Sequence, residues 1–215
     1  MSGYSRTPRL LRGGLVLLDP TIGTVRSILA LQYNPDSISR TLQVQDMGDD
    51  SARANQLRLK GPAIETIKLE AQIDLTDQLE RGEANATTYG LHPALAALEM
   101  LVHPASRQLL DNNALADSGA MEIVPMISAL CVLVWSKTRV MPVKITDFSI
   151  TEEAFDPSLN PIRARVSLGL RVLTTTDLGF SNKGGSLFMA YLQQKERLAS
   201  LATGSALSAL GIDGI

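Results

Sequence analysis

The segment "ETIKLEAQIDLTD", residues 65–77, alternates apolar and polar side chains without a break. Ile67, Leu69, Ala71, Ile73 and Leu75 fall in one register, and Thr66, Lys68, Glu70, Gln72 and Asp74 in the other. A period of two over that length is the mark of an antiparallel strand with one buried and one solvated face. It returns in "RARVSLGLRV", residues 163–172, where Ala164, Val166, Leu168, Leu170 and Val172 alternate with Arg163, Arg165, Ser167, Gly169 and Arg171. Three arginines therefore share one outer face.

Shorter strands are predicted at residues 15–18, 57–60, 130–135 and 140–151. In "LQYNPDSISRTLQVQD", residues 31–46, an Asn34-Pro35-Asp36 turn lies between Leu29, Leu31 and Tyr33 on one side and Ile38, Leu42 and Val44 on the other. Pro35 holds Asn34 out of the helical region and Asp36 can bond the local backbone, so a hairpin is expected. Its polar row is Ser39, Thr41, Gln43 and Gln45.

In "GLHPALAALEMLVHP", Leu95, Leu98, Leu101 and Val102 recur at helical spacing between Pro93 and Pro104, which predicts one helix near residues 93–103. Residues 107–119 read as a loop. After Gly179, "FSNKGGS" reads as a linker to a helix with Leu187, Phe188, Tyr191, Leu192, Leu198 and Ala202 on one face. That helix packs either on its own domain or on a neighbouring subunit. The expected fold is mainly β with a few helices, in the α+β class: an arm over residues 1–14 that is flexible or ordered by a partner, a β domain over 15–178, and a helical extension over 179–215.

Sites of chemistry are not apparent. The net charge of −2 argues against a general nucleic-acid binder, and a 4% aromatic content with one tryptophan, Trp135, offers no stacking platform. His92 and His103 lie eleven residues apart around the predicted helix, about 16 Å at helical rise, too far to share a metal. A lone cysteine, Cys131, makes neither an intrachain disulfide nor a zinc site and reads as a small buried hydrophobe. The glycines match no phosphate or dinucleotide loop, and there is no nucleophile elbow. Carboxylates gather at Asp74, Asp77, Glu80 and Glu83 and at Glu152, Glu153 and Asp156. They leave open a small monomeric β-barrel hydrolase or ligand-binding protein as an alternative, although solvated strand ends explain both groups. No catalytic residue, metal or cofactor is expected. The start of the chain lacks the apolar core of a secretory signal, and no apolar run approaches the length of a membrane span, so a cytoplasmic protein without direct membrane insertion is expected.

Four blocks in order, "LQYNPDSISRTL", "ETIKLEAQIDLTD", "YGLHPALAALEMLVHP" and "CVLVWSKTRVMPVKITDFSITEEAFDPSLNPIRARVSLGLRVL", resemble the tube and baseplate-hub proteins of contractile injection systems. The resemblance covers about residues 29–173. It lacks the LysM module that many relatives append, so no contact of that module carries over.

The resemblance implies a tail-tube-like β-barrel or sandwich with a flanking helix, present as a homo-hexamer. The ring would join a spike or hub protein to the inner-tube protein, or to a second tube-initiator ring, and template tube polymerisation. Baseplate wedge and sheath-proximal proteins are further partners it implies, with no nucleic acid among them. On this reading the protein works within an assembled phage-tail-like particle. Asn34, Pro35, Asp36, Ser39, Thr41, Gln43 and Gln45 become candidates for the channel wall or the subunit seam. Arg163, Arg165 and Arg171 would face the lumen or the next subunit, and Glu152, Phe155, Asp156 and Asn160 an adjoining ring. An ordinary solvated sheet face, and a plain corner between strands, explain the same residues without assembly.

Overall fold

The computed structural model describes residues 11–46, 58–119 and 128–202. Among them, seven strands form one sheet: β1 (Gly14–Leu18), β2 (Val25–Ala30), β3 (Ile38–Gln43), β4 (Ile64–Asp74), β5 (Leu130–Ser136), β6 (Arg139–Phe155) and β7 (Pro161–Val172), in the order β2-β1-β5-β6-β7-β4-β3. Every neighbouring pair is antiparallel. Six helices accompany it: α1 (Thr76–Glu80), α2 (Ala84–Tyr89), α3 (His92–Glu99), α4 (Ser106–Asp117), α5 (Thr175–Leu178) and α6 (Lys183–Leu201). The chain is α+β and mainly antiparallel β, and its sheet is open, so the expected barrel or sandwich is corrected to a single sheet with two edges.

The expected hairpin is also corrected. β2 pairs with β1 and β3 with β4, at opposite edges of the sheet, and only residues 31–37 separate the two strands. Fully extended, that connection reaches about 28 Å, short of the roughly 29 Å that six strand spacings would need across a flat sheet. It does not run straight. Gln32 stops to imitate a strand pair with β4, its Nε2 donating to the Asp74 carbonyl at 2.6 Å and its Oε1 accepting from the Asp74 N–H at 2.9 Å. The sheet is therefore rolled, with residues 31–37 strapping its two edges, and Leu29 of β2 packs on the same core as Ile38 of β3. Alternation reports that a segment is a strand; it does not name the strand's partner.

The core lies inside the roll. Ile67, Leu69 and Ala71 of β4 and Ala164, Val166, Leu168 and Leu170 of β7 are buried there, in the register their alternation predicts. The predicted helix is α3. Pro93 occupies its first turn, and Leu91 and Leu95 are buried against the core, each worth about 2 kcal/mol of removed apolar surface. Residues 107–119 are not a loop. They are mostly α4, a helix with no buried residue, whose Leu109, Leu110 and Leu115 stay exposed, so no apolar stripe was there to reveal it. Strand β4 stops at Asp74, and the end of its predicted span becomes α1. Leu57 of the strand predicted over 57–60 lies outside the described residues. Leu59 makes only an isolated bridge to Asp46.

The C-terminal helix packs on its own domain, with Phe188 and Tyr191 buried in the main core. The expected Gly-Gly linker is instead the start of α6, capped by Asn182, whose Oδ1 accepts the Gly184 N–H at 2.8 Å. Both glycines are buried because the helix start is closely packed: a Cβ on Gly185 would overlap the Gly179 carbonyl oxygen, and one on Gly184 the Leu178 side chain. Gly185→Ala must therefore push the start of α6 away from the Gly179 backbone that ends α5. A loss of about 2–3 kcal/mol is expected, read as a fall in melting temperature of roughly 5–10 °C; an unchanged melt would show that the helix seats differently.

Candidate functional site: a polar sheet face between two unpaired edges

Strands β6, β7, β4 and β3 lie side by side, and their alternation carries one polar face across all four. Ser39 pairs with Lys68 and Thr41 with Thr66 on β3 and β4; Lys68 pairs in turn with Gly169, Glu70 with Ser167 and Gln72 with Arg165. On β6, Ser149, Thr151 and Glu153 continue the rows opposite Ser167, Arg165 and Arg163. Ser39, Thr41 and Gln43 are exposed on this face, as the sequence predicts for one row. Gln45 lies past the end of β3, where its Nε2 donates to the Pro62 carbonyl.

The three arginines do share this face, but none projects alone. Arg163 bonds Asp74 at 2.9 Å, Arg171 bonds Asp177 at 2.8 Å, and Arg165 lies between Glu70 at 3.0 Å and Glu153 at 3.3 Å. The Thr76 hydroxyl and N–H hold the Asp74 carboxyl below its usual range, with Arg163 adding to them. Burial pushes Asp177 up, but bonds from Thr174 and the charge of Arg171 outweigh it and leave that carboxyl low as well. In both carboxylates the charged form is favoured by its own bonds.

Asn34, Pro35 and Asp36 are not a hairpin tip. They lie in the strap, where Asn34 Oδ1 accepts the Gly13 N–H at 2.9 Å and its Nδ2 donates to the Leu11 carbonyl at 2.8 Å, tying the strap to the start of β1. The strap and the sheet enclose a polar cleft that Asp36, Glu70, Gln72 and Arg165 line. The structure thus brings the turn residues and Arg165 to one place, at the end of the polar face.

Two backbone edges border the face. Among the described residues, β3 has no partner on the side away from β4. β6 is paired with β5 only through Arg139–Val143, leaving residues 144–155 without a partner on the side away from β7. An unpaired edge is a row of N–H and C=O groups suited to another strand.

At the far end of β6, the corner before β7 is locked from within. The Asp156 carboxylate accepts from the Ser158 N–H, the Asn160 N–H and Asn160 Nδ2, and these bonds, that of the Asn160 side chain foremost, keep it below its usual range. Asp156 and Asn160 are therefore occupied inside the turn. Glu152 and Glu153 fall on opposite faces of β6, Glu152 is exposed, and the apolar groups that project are Phe155, 51% exposed, and Leu159, 77% exposed. Leu159 holds a φ of 64°, a left-handed backbone that costs an L-residue about 1 kcal/mol.

The sequence reading missed a charged cluster beneath α6. Glu65 is only 4% exposed. Its carboxylate accepts from Lys195 at 2.7 Å, from Arg40 at 2.7 Å and from the Tyr191 hydroxyl at 3.1 Å. Burial pushes the Glu65 carboxyl up, yet the bonds from Lys195 and Arg40 win and hold it below its ordinary value, while burial raises the Tyr191 phenol. The signal was present: Glu65 falls in phase with Ile67, Leu69 and Ala71, an acid in the apolar register.

The two acidic groups do not converge into a site. Asp74 and Glu153 serve the arginines, Asp156 caps its corner, and among the described residues no three metal-ligating side chains stand close enough to hold an ion. Burial raises the Cys131 thiol to about 12, so it stays protonated and unreactive. No described helix is long and apolar enough to cross a membrane.

No family model and no curated protein matches the chain. Among solved structures it is similar to a chain from the tail of an empty GTA particle, computed with helical refinement and C6 symmetry. The match covers 74% of this chain and 90% of that one at 14% identity and a TM-score of 0.27. A likeness of that size carries no argument about this protein.

Proposed function

We propose that this protein is a structural subunit of a phage-tail-like contractile injection particle, forming a hexameric ring in the baseplate hub that joins the spike to the inner tube and templates tube polymerisation. The observation that carries the reading is the four-stranded polar face bordered by two unpaired edges. Pairing the β3 edge of one copy with the free stretch of β6 in the next would continue the sheet around a closed ring, so that neither of those two borders remains open. The polar rows would then form one continuous inner wall. Ser39, Thr41 and Gln43 would lie beside the seam, Arg163, Arg165 and Arg171 would stand within the wall, and the strap with Asn34, Pro35 and Asp36 would lie at the wall's border. The locked corner would present Phe155 and Leu159 to an adjoining ring, with Asp156 and Asn160 shaping the turn rather than touching the partner. The four sequence blocks that resemble tube and hub proteins support the same reading. No covalent step is required, and the work is mechanical templating.

Cryo-electron microscopy of particles purified through a tagged copy tests this. A sixfold ring beneath the inner tube, with β3 and β6 at the subunit seam, is the expected result. Recovery only as a monomer or dimer apart from any tube would overturn it.

A further inference from the structure

The polar face is unusual in how completely its arginines are occupied. Arg165 lies opposite Gln72 on β4 and Thr151 on β6, and reaches diagonally to Glu70 on one side and Glu153 on the other. Two carboxylates thus hold one guanidinium, while Asp74 and Asp177 hold Arg163 and Arg171. All three are intrachain pairs and are in place before any partner arrives. The pairs are half-exposed, with Arg165 and Glu70 side chains 53% and 57% exposed, and pairs in that setting add little to stability. Their larger effect is on what the face attracts. A polyanion binds by exchanging condensed counterions for lysine and arginine contacts, and a guanidinium already bonded by carboxylates offers it no such exchange.

We infer that Glu70 and Glu153 act as charge guards, specificity-determining residues that keep Arg165 and the strand rows around it from retaining nucleic acid or other polyanions. Lys68 and Lys144 are exposed on the same face, so releasing Arg165 would join it to an existing set of cations. The meaning of the guard rests on the channel-wall reading: a wall that retains no polyanion keeps its channel clear. The binding itself does not depend on assembly, so a failed guard and a failed ring are told apart by separate measurements.

The test is fluorescence anisotropy of a labelled single-stranded oligonucleotide with the full chain at about 0.05 M and 0.15 M salt. The wild-type protein is expected to bind weakly at both. Glu70→Gln with Glu153→Gln, which keeps the side-chain volumes, is expected to bind about tenfold more tightly at the lower salt and to lose that gain as salt rises. Adding Arg165→Gln to the double variant is expected to remove the whole gain, whereas a general change in net charge would keep about half of it on a logarithmic scale. Far-ultraviolet circular dichroism establishes that each variant is folded. Wild-type binding as tight as that of the double variant, or a double variant with no gain, would overturn the inference.

Discussion

Glu65→Ala is expected to lower the unfolding free energy by about 2–3 kcal/mol, measured by urea titration at neutral pH. The carboxylate joins β3, β4 and α6, and its loss leaves Arg40 and Lys195 without their shared counter-charge and the buried Tyr191 hydroxyl without its acceptor. Breaking a buried ion pair costs about 3–5 kcal/mol. The lower figure applies because the Arg40 and Lys195 side chains remain 27% and 34% exposed and can recover water. Glu65→Gln should lose less, since an amide oxygen still accepts from Tyr191 in nearly the same shape. The pH dependence separates charge from packing. The folded-state carboxyl titrates below its unfolded value, near 4.3 for a glutamate, so its contribution is fully present above that value and is lost as pH falls through the lower, folded one. Wild-type stability should therefore drop more steeply than that of Glu65→Ala as pH falls below the unfolded glutamate value. Parallel acid limbs for the two proteins would show that the carboxyl titrates alike in the folded and unfolded states and gains nothing from its cations.

The contrast between Glu65 and the arginine rows shows what a sequence discloses about such a sheet. The alternation in β4 and β7 is legible because each strand separates a dry face from a wet one, and the register of the buried residues follows from that, Pro161 and Gly169 apart. What lies across from a residue is not legible. Arg163 and Arg165 were visible as a row, but Asp74, Glu70 and Glu153 as their partners depend on the strand order, which is set by pairings between distant segments. The strap was misread for the same reason: its two flanking strands look like neighbours and belong to opposite edges. The Gly185 contact was hidden because a glycine that yields room to backbone and a glycine that loosens a linker are written identically. α4 was hidden because helical patterning is a record of burial, and α4 buries nothing.

Proline placed at Thr41 and, separately, at Leu42 on β3 should yield two different defects from adjacent positions. In an antiparallel edge strand, successive N–H groups point alternately toward the partner and away from it. One of the two prolines therefore removes a bond to β4, and the other removes an N–H that only a strand beyond the edge could accept. The inward variant is expected to destabilise the chain by about 2–3 kcal/mol. The outward variant should melt within a few degrees of wild type, because no described residue pairs with that edge. Assembly should respond in the opposite sense. If the β3 edge of one copy adds to the β6 edge of the next, the outward variant is folded but absent from rings, and its particles lack inner tubes when it is the sole copy. Native mass spectrometry and negative-stain microscopy of tagged particles read both outcomes. A folded outward variant that enters rings at the wild-type level would show that the seam does not run along β3, and the polar face would then have to be closed by some other contact.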